Sequence, residues 1–247
     1  QDIQARFRTS HGDWDRLPHK VAIQLNDTHP AMVVAELMRV LVDEHQIDWH
    51  RAWALTRRTC AYTNHTLLPE ALETWPVDLF SRVLPRHLEI IFQLNHEFLQ
   101  EVRHRHPGDN DLLRRVSVVG EDGERRVRMG HLAVIGSHKV NGVAAIHTGL
   151  MKSTIFSDFN HLTPGKITNK TNGVTPRRWL LLSNPGLAAL ISGKIGSDWV
   201  THLDQLKKLE PFAEDTAFRA DFAAVKRGNK VRLAEVIAQR LGVDIVP

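Results

Sequence analysis

The chain has 247 residues, of which 42% are hydrophobic, and this is enough material for one large or two small globular domains. Its 32 Lys and Arg residues exceed 28 Asp and Glu residues by a small excess spread over the whole length, whereas nucleic-acid binding needs a concentrated basic stripe. No apolar run has membrane-spanning length, and the single Cys60 cannot form an internal disulfide. The composition therefore favours a cytoplasmic protein with no nucleic-acid or membrane partner.

The first predicted βα unit lies between residues 20 and 58. The apolar run 20–25 predicts a short buried strand, which the polar residues 26–30 end. A helix is expected over about 31–44, with Asp or Thr of the polar turn as its N-cap and Pro30 in its first turn. A second helix is predicted over 48–58.

A second polar turn follows the next predicted strand, residues 59–63. Asn64, His65 and Thr66 form this turn. Two helices are expected after it, over 69–83 and 85–105, and the second carries an apolar stripe typical of core packing. Residues 115–119 and 125–129 then predict a β-hairpin whose turn spans 120–124.

A third strand is predicted over 131–135, followed by the polar segment 136–143 and a helix to about Met151. Strands that alternate with helices indicate a parallel sheet, and ligands of such sheets bind at the carboxyl ends of the strands. A polar loop over 169–179 comes next, and residues 180–241 have helical patterns without a good strand. We therefore predict a domain boundary near Asn172.

Several kinds of active site lack their sequence signature. Gln100 stands where a zinc-protease helix starting at His96 needs its second His ligand, so no native metal site is expected. Cys60 lies in an apolar strand, where a thiol behaves as a small hydrophobic side chain. Neither glycine-rich pattern of nucleotide-binding loops occurs.

Polar side chains at the predicted strand ends are mostly neutral hydrogen-bonding groups. Each one alone is more often a cap or a turn residue than a ligand contact, but their joint placement favours a carbohydrate, whose hydroxyls pair with uncharged donors and acceptors. Asp27 and Glu73 are the only carboxylates predicted on this face, and their separation is left open. The residues at these turns are Asp27, His29, Asn64, His65, Thr66, Ser137, His138, Asn141 and Asn172.

Four segments, 21–30, 60–73, 136–143 and 169–179, resemble the α-glucan phosphorylase family, which includes the glycogen, maltodextrin and starch enzymes. The resemblance runs from about residue 20 to 247. It implies an α/β fold, namely an incomplete two-domain glycosyltransferase fold of the glycogen-phosphorylase type with its cleft between two Rossmann-like halves. Residues 1–172 would be the C-terminal part of the N-terminal glucan-binding domain, and 173–247 the helical beginning of the C-terminal catalytic domain.

The resemblance also implies an activity and its residues. The family releases glucose 1-phosphate from glycogen or maltodextrin, using inorganic phosphate and pyridoxal phosphate, and the parent is expected to be a homodimer. In the implied catalytic centre His65 would bind the 6-hydroxyl of the transferred glucose, and Asn172 the neighbouring hydroxyls. Substrate would also meet Asp27, His29, Thr66, Glu73, Asn141 and Val143, and Trp179 would approach the pyridoxal phosphate.

Some family elements are expected outside this chain. In the family, the basic phosphate-binding motif and the lysine that forms the Schiff base come after the segment that this chain resembles up to Pro247. The start of the family's first domain comes before the segment that begins here at Gln1. We therefore expect an internal fragment that is inactive alone. Two alternatives are a non-catalytic glucan-binding module and a sugar-nucleotide glycosyltransferase of the same architecture.

Overall fold

The computed structural model describes residues 2–121 and 123–247; Gln1 lies outside them, as does Asp122 in the predicted hairpin turn. The chain divides into two compact units, Gln1–Asn172 and Gly173–Pro247. The division falls where the sequence predicts a change of domain.

The first unit contains two sheets. In chain order the strands are β1 (Ile23–Asn26), β2 (Cys60–Thr63), β3 (Thr74–Pro76), β4 (Val119–Gly120), β5 (Arg126–Arg128), β6 (Lys139–Gly142) and β7 (Ile167–Asn169). One sheet is parallel throughout and has the strand order β1-β2-β6-β7, and the other is antiparallel with the order β3-β5-β4. The predicted mixed α/β architecture with a parallel sheet is confirmed.

Helices surround the parallel sheet. Those of the first unit are α1 (Asp2–Ser10), α2 (Leu17–Lys20), α3 (Val33–Arg39), α4 (Trp49–Thr59), α5 (Val77–Val83), α6 (Pro85–Arg105), α7 (Asn110–Val116), α8 (Met129–Ile135), α9 (Ala145–Ser153) and α10 (Ser157–Leu162). A π-helical turn, Val40–Glu44, extends α3. Leu25, Tyr62 and Val140 are fully buried on neighbouring strands, so the central core lies against this sheet.

Local signals placed α4 and α6 correctly. Asp48 caps α4 by accepting hydrogen bonds from the backbone N–H groups of His50 and Arg51. Pro85 opens α6, which has the predicted bounds, and the predicted stripe faces the core through Leu88 and Ile91 among others.

The predicted strand over 131–135 is wrong, because these residues belong to α8. Short apolar runs do not distinguish a buried strand from a buried helix, and Leu132–Ile135 are buried on every side. The strand is instead β6, which lies within the segment predicted to be a polar turn. Of the four residues of β6, Val140 and Gly142 are buried. This shift moves Ser137 and His138 to the amino end of a strand.

The predicted helix over 69–83 is interrupted. Pro69–Ala71 form a 3₁₀ turn, β3 follows, and α5 begins only at Val77. Pro76 lacks an N–H group and disfavours helical backbone at Trp75, so the chain stays extended up to the proline. The extended segment pairs with β5.

Three smaller predictions also need correction. Neither Asp27 nor Thr28 caps the helix after β1, since α3 begins at Val33 and its cap position, Met32, makes no side-chain bond. The hairpin exists but is shorter than predicted, because residues 115 and 116 end α7 and only β4 and β5 pair. Strand β7 was not predicted, because three residues are too few for a visible alternation.

The second unit is helical in all its described elements, as the sequence predicts. It contains a π-helical segment, Arg177–Leu182, two 3₁₀ helices, Asp198–Val200 and Leu203–Phe212, and the helices α11 (Pro185–Ile195) and α12 (Thr216–Leu241). Its core is small and centres on Trp199, whose indole N–H donates to the Ser192 hydroxyl at 3.1 Å. No helix in the described part of the chain is long and apolar enough to cross a membrane.

Candidate functional site

The candidate site lies at the carboxyl edge of the parallel sheet. The strands end there at Asn26, Thr63, Gly142 and Asn169, and the polar residues that follow β1, β2 and β6 are therefore brought to one edge. Backbone bonds join neighbouring strand ends: the Asp27 N–H donates to the Thr63 carbonyl at 2.9 Å, and the Asn64 N–H donates to the Asn141 carbonyl at 3.0 Å.

Thr28 connects the two predicted carboxylates. Asp27 directly follows β1 and has a left-handed backbone, φ 66°. Its carboxylate accepts a hydrogen bond from the Thr28 N–H at 2.6 Å. The Thr28 hydroxyl donates to Glu73 Oε2 at 2.7 Å, and the Trp75 indole N–H donates to Glu73 Oε1 at 2.7 Å. Both oxygens of Glu73 are thus engaged, which fixes this carboxylate beside the turn after β1.

His65 is exposed at the end of β2, and its Nε2 lies 2.6 Å from the side-chain oxygen of Asn26. Because an amide oxygen only accepts, Nε2 is the donor in this contact. The preceding Asn64 is fully buried, and its amide donates to the Tyr62 hydroxyl at 3.0 Å. Burial raises the pKa of Tyr62 to about 12, and the negative charge of Asp27 adds to this rise although the Asn64 bond opposes it.

A row of polar side chains crosses three strands. The Gln24 amide donates to the Thr63 hydroxyl at 2.9 Å, and that hydroxyl donates to the Asn141 side-chain oxygen at 2.8 Å. The Asn141 amide donates to the Gly142 carbonyl at 3.0 Å. Asn141 is therefore held by its neighbours in a single orientation.

Val143 and Asn172 lie together, since the Asn172 N–H donates to the Val143 carbonyl at 2.9 Å. The Val143 N–H in turn donates to His147 Nδ1 at 3.2 Å. Close packing at this bend requires glycine at position 142, where a Cβ would lie 2.4 Å from the Thr148 hydroxyl. The Asn172 side chain is exposed at the end of this chain of contacts.

His29 lies in a cleft next to Glu73. The cleft has a volume of about 340 Å³, and apart from these two residues its walls are apolar. Trp75, whose side chain is 40% exposed, supplies a flat ring to it. Ligand sites are typically apolar concavities with a few fixed polar groups, and this cleft has that composition.

Other predicted residues stand apart from this cluster. Thr66 follows His65, and its hydroxyl accepts the Leu68 N–H at 3.2 Å. Ser137 and His138, predicted at a strand end, lie instead at the opposite, amino edge of the sheet, where the His138 N–H donates to the Cys60 carbonyl at 3.0 Å. Trp179 belongs to the second unit, where it lies in the π-helical segment and is 67% exposed.

Two sequence interpretations concern reactive or metal-binding groups. Burial raises the pKa of Cys60 to about 12, which keeps the thiol protonated and agrees with its interpretation as a core residue. Within residues 2–121 and 123–247, no three His, Cys, Asp or Glu side chains are arranged to hold a metal ion.

Sequence reasoning missed Asn26, Thr28 and Trp75 as members of this site. Thr28 and Asn26 lie in the turn that the sequence singled out, but their partners are 45 and 39 residues away and only the fold brings them together. Trp75 was missed because a helix was predicted over 69–83, and only the extended backbone of this segment allows the Trp75 indole to donate to Glu73, two positions earlier.

The parallel sheet, its helices and the polar turns at its strand ends define a mixed α/β protein. The chain belongs to the carbohydrate phosphorylase family, whose model matches residues 1–247. Human glycogen phosphorylase, muscle form, is 53% identical over 255 aligned residues, which cover all of this chain and 30% of that protein.

Bacterial relatives are equally similar. Glycogen phosphorylase of Haemophilus influenzae is 51% identical over 247 residues, again with all of this chain and 30% of the relative covered. Glycogen phosphorylase of Synechocystis is 56% identical over 226 residues, which cover 92% of this chain and 27% of that protein. The chain thus spans about 30% of the length of the relatives it matches.

Proposed function

We propose that this chain is part of an α-1,4-glucan phosphorylase, which releases glucose 1-phosphate from glycogen or maltodextrin with inorganic phosphate. The observation that carries the proposal is the joined set of polar strand-end residues in a chain similar to glycogen phosphorylases along its whole length. In this proposal the first unit is the C-terminal part of a glucan-binding domain, and the second is the helical beginning of a catalytic domain of a two-domain glycosyltransferase.

The transferred glucose unit is assigned to His65, Val143 and Asn172. His65 has one ring nitrogen engaged by Asn26, so Nδ1 is available to accept a bond from a sugar hydroxyl. The exposed Asn172 amide offers both a donor and an acceptor to the neighbouring hydroxyls, and its backbone bond to Val143 limits its movement. Such neutral, directional groups suit a sugar better than charged ones do.

The remainder of the glucan chain is assigned to the side of Asp27, His29 and Glu73, with Thr66 and Asn141 as further polar contacts. Two observations support this assignment: Glu73 is fixed by two hydrogen bonds, and the adjoining cleft combines an apolar wall with the flat ring of Trp75. A fixed carboxylate can accept bonds from a pair of sugar hydroxyls without losing side-chain entropy on binding.

Pyridoxal phosphate is the cofactor of this proposal. An exposed indole with Arg177 and Arg178 in the same segment fits an aromatic ring that carries a phosphate, so Trp179 is assigned to its binding. When bound, the cofactor would supply a phosphate that exchanges a proton with the substrate phosphate. The complete enzyme is proposed to act as a homodimer on the glucan and inorganic phosphate.

Substitution of the sugar contacts in the whole protein tests the proposal. His65→Ala and Asn172→Ala should each lower kcat for phosphorolysis of maltodextrin tenfold or more, since a lost hydrogen bond to a charged transition state is worth about 1.5–3 kcal/mol. Glu73→Ala should act mainly on the apparent KM for the glucan. Initial rates of glucose 1-phosphate release give both constants.

His104→Ala is the matched control, because His104 is exposed in the last turn of α6, far along the chain from the strand ends. Its rates should equal those of the unchanged protein. Full turnover by the Asn172 variant would refute the assigned sugar site. Binding of maltoheptaose in calorimetry, without any phosphorolysis by the whole protein, would instead identify a glucan-binding module.

A further inference from the structure

A second polar cleft lies at the opposite, amino edge of the parallel sheet. It has a volume of about 570 Å³ and is formed by the end of α4, the residues before β6 and the residues before β7. None of the residues assigned to glucan binding lines it. The feature is therefore separate from the site of the proposed function.

The side chains in this cleft are strongly basic. No Asp or Glu is among the described residues that line it. Two of the cations have partners that are not carboxylates: Arg58 lies 3.2 Å from His19 Nε2, and Lys139 donates to the Gly165 carbonyl at 2.8 Å. The residues that matter here are Arg57, Arg58, Ser137, His138, Lys139 and Lys166.

Ser137 is an independent indication of a ligand. It is fully buried, it lines the cleft, and its hydroxyl has no hydrogen-bonding partner among residues 2–121 and 123–247. A buried hydroxyl without a partner costs about 1–3 kcal/mol relative to a paired one, so native structures rarely keep one without a reason. A ligand oxygen in the cleft would supply the missing acceptor.

Lys166 is a half-buried cation of this cleft. Burial, followed by the neighbouring charge of Arg57, lowers its pKa to about 7, although the charge of Glu101 opposes the shift. Glu101 and Glu97 line an adjoining cleft that Lys166 also reaches. Arg57 lines both clefts, as Lys166 does, and Arg105 accompanies the acidic groups in the adjoining one.

The partial negative charge at the carboxyl end of α4 accounts for only some of the basic side chains in this cleft. Arg57 and Arg58 occupy the last turn of α4, where cations are favoured, but a helix terminus carries about half a charge. Arg57, Arg58, Lys139 and Lys166 together exceed that charge several-fold. His138, whose Nδ1 donates to the Cys60 carbonyl at 2.7 Å, adds a further nitrogen on the same side.

We propose that the cleft at the amino edge binds a small phosphate-type anion through Arg57, Arg58, Lys166 and the Ser137 hydroxyl. Guanidinium groups bind phosphate oxygens through paired hydrogen bonds, and the hydroxyl donates one more. The ligand is inorganic phosphate or the phosphate group of a monoester, since the chemistry of recognition is the same for both.

Calorimetric titration of the whole protein tests this inference, at pH 7 and at constant ionic strength maintained with chloride. Inorganic phosphate and glycerol phosphate are the two probes, and the tighter one identifies a free ion or an ester as the preferred ligand. Saturable binding is expected. Arg57→Gln and Ser137→Ala should each weaken it roughly tenfold or more, as expected for the loss of a hydrogen bond to a charged group.

Lys208→Gln is the matched control, because it removes one exposed positive charge in the second unit. It should change the affinity less than twofold. A second measurement is trace acetylation mapped by mass spectrometry: phosphate should protect Lys166 and leave Lys208 unchanged. Binding of both probes that Arg57→Gln and Ser137→Ala leave unchanged, or that Lys208→Gln weakens as much as Arg57→Gln does, would overturn the inference without bearing on phosphorolysis.

Discussion

Glu73 and Thr28 illustrate how single residues shape the candidate site. Glycoside hydrolysis uses two carboxylates at a fixed separation on either side of the scissile bond. Here Glu73 accepts two hydrogen bonds, from Thr28 and Trp75, and Asp27 accepts one from the Thr28 backbone. The same threonine thus fixes both carboxylates beside the turn after β1.

His131 makes stability depend on pH. Its Nδ1 lies 3.0 Å from the Ser117 carbonyl and its ring packs edge-on against Phe159; burial, assisted by the charge of Arg128, lowers its pKa from 6.5 to about 4. Between pH 4 and pH 6.5 the unfolded chain binds a proton at this residue and the folded chain does not. The contribution of His131 to the free energy of unfolding is therefore complete above pH 6.5 and is lost as the pH falls toward 4. The loss should total about 3 kcal/mol for this residue.

Urea unfolding between pH 7 and pH 4, monitored by circular dichroism, measures this dependence. His131→Gln should reduce the slope of the unfolding free energy against pH, whereas His104→Gln should leave it as it is. An unchanged slope in the His131 variant would show that other groups control the acid sensitivity.

At the scale of elements, strong local signals were sufficient to predict structure and weak ones were not. The capping aspartate of α4 and the proline and apolar stripe of α6 fixed both helices from sequence. Residues 131–135 were predicted to be a strand but belong to α8, because a run of buried apolar residues shows neither the helical nor the strand periodicity. Because β6 was displaced by a few residues, Ser137 and His138 were assigned to the wrong edge of the sheet.

The candidate site was predictable in outline for a similar reason. Polar turns after β1 and β2 were visible along the sequence, as was the loop after β7. The bonds that join them connect residues far apart in the chain, such as Thr28 with Glu73 and Asn26 with His65. The pairing of β1 with β2 brings Asn26 near His65, whereas Glu73 precedes β3 of the other sheet, and sequence patterns of single elements contain neither arrangement.

The junction between β6 and α9 should be intolerant of a larger residue. At Gly142 an added Cβ would lie 2.4 Å from the Thr148 hydroxyl and 2.8 Å from His147 Nδ1, so Gly142→Ala should destabilise the chain by about 1–3 kcal/mol. Gly149→Ala is the matched control: it lies within α9 with nothing within 4 Å, and should stabilise by about 0.5–1 kcal/mol. Thermal unfolding of the two variants should therefore shift in opposite directions, and a neutral Gly142 variant would contradict the packing described here.

At the scale of the whole molecule, the proposal assigns residues of this chain to the glucan and Trp179 to pyridoxal phosphate. It assigns no residue to the reacting phosphate. The 247-residue chain by itself should therefore release no glucose 1-phosphate from maltoheptaose, even with added phosphate and pyridoxal phosphate. A whole glycogen phosphorylase assayed alongside provides the positive control. Phosphate-dependent release by the purified chain would show that a complete active site is present in it.

The order of the strands also has a consequence during synthesis of the chain. β1 and β2 can pair early, but the other neighbour of β2 is β6, and Lys139 follows Thr63 by 76 residues. At about 5–20 residues per second, the ribosome needs roughly 4–15 s to deliver that partner. During this interval the free edge of Cys60–Thr63 is open to pairing with another nascent chain, so slower translation or crowding of ribosomes should increase aggregation before folding is complete.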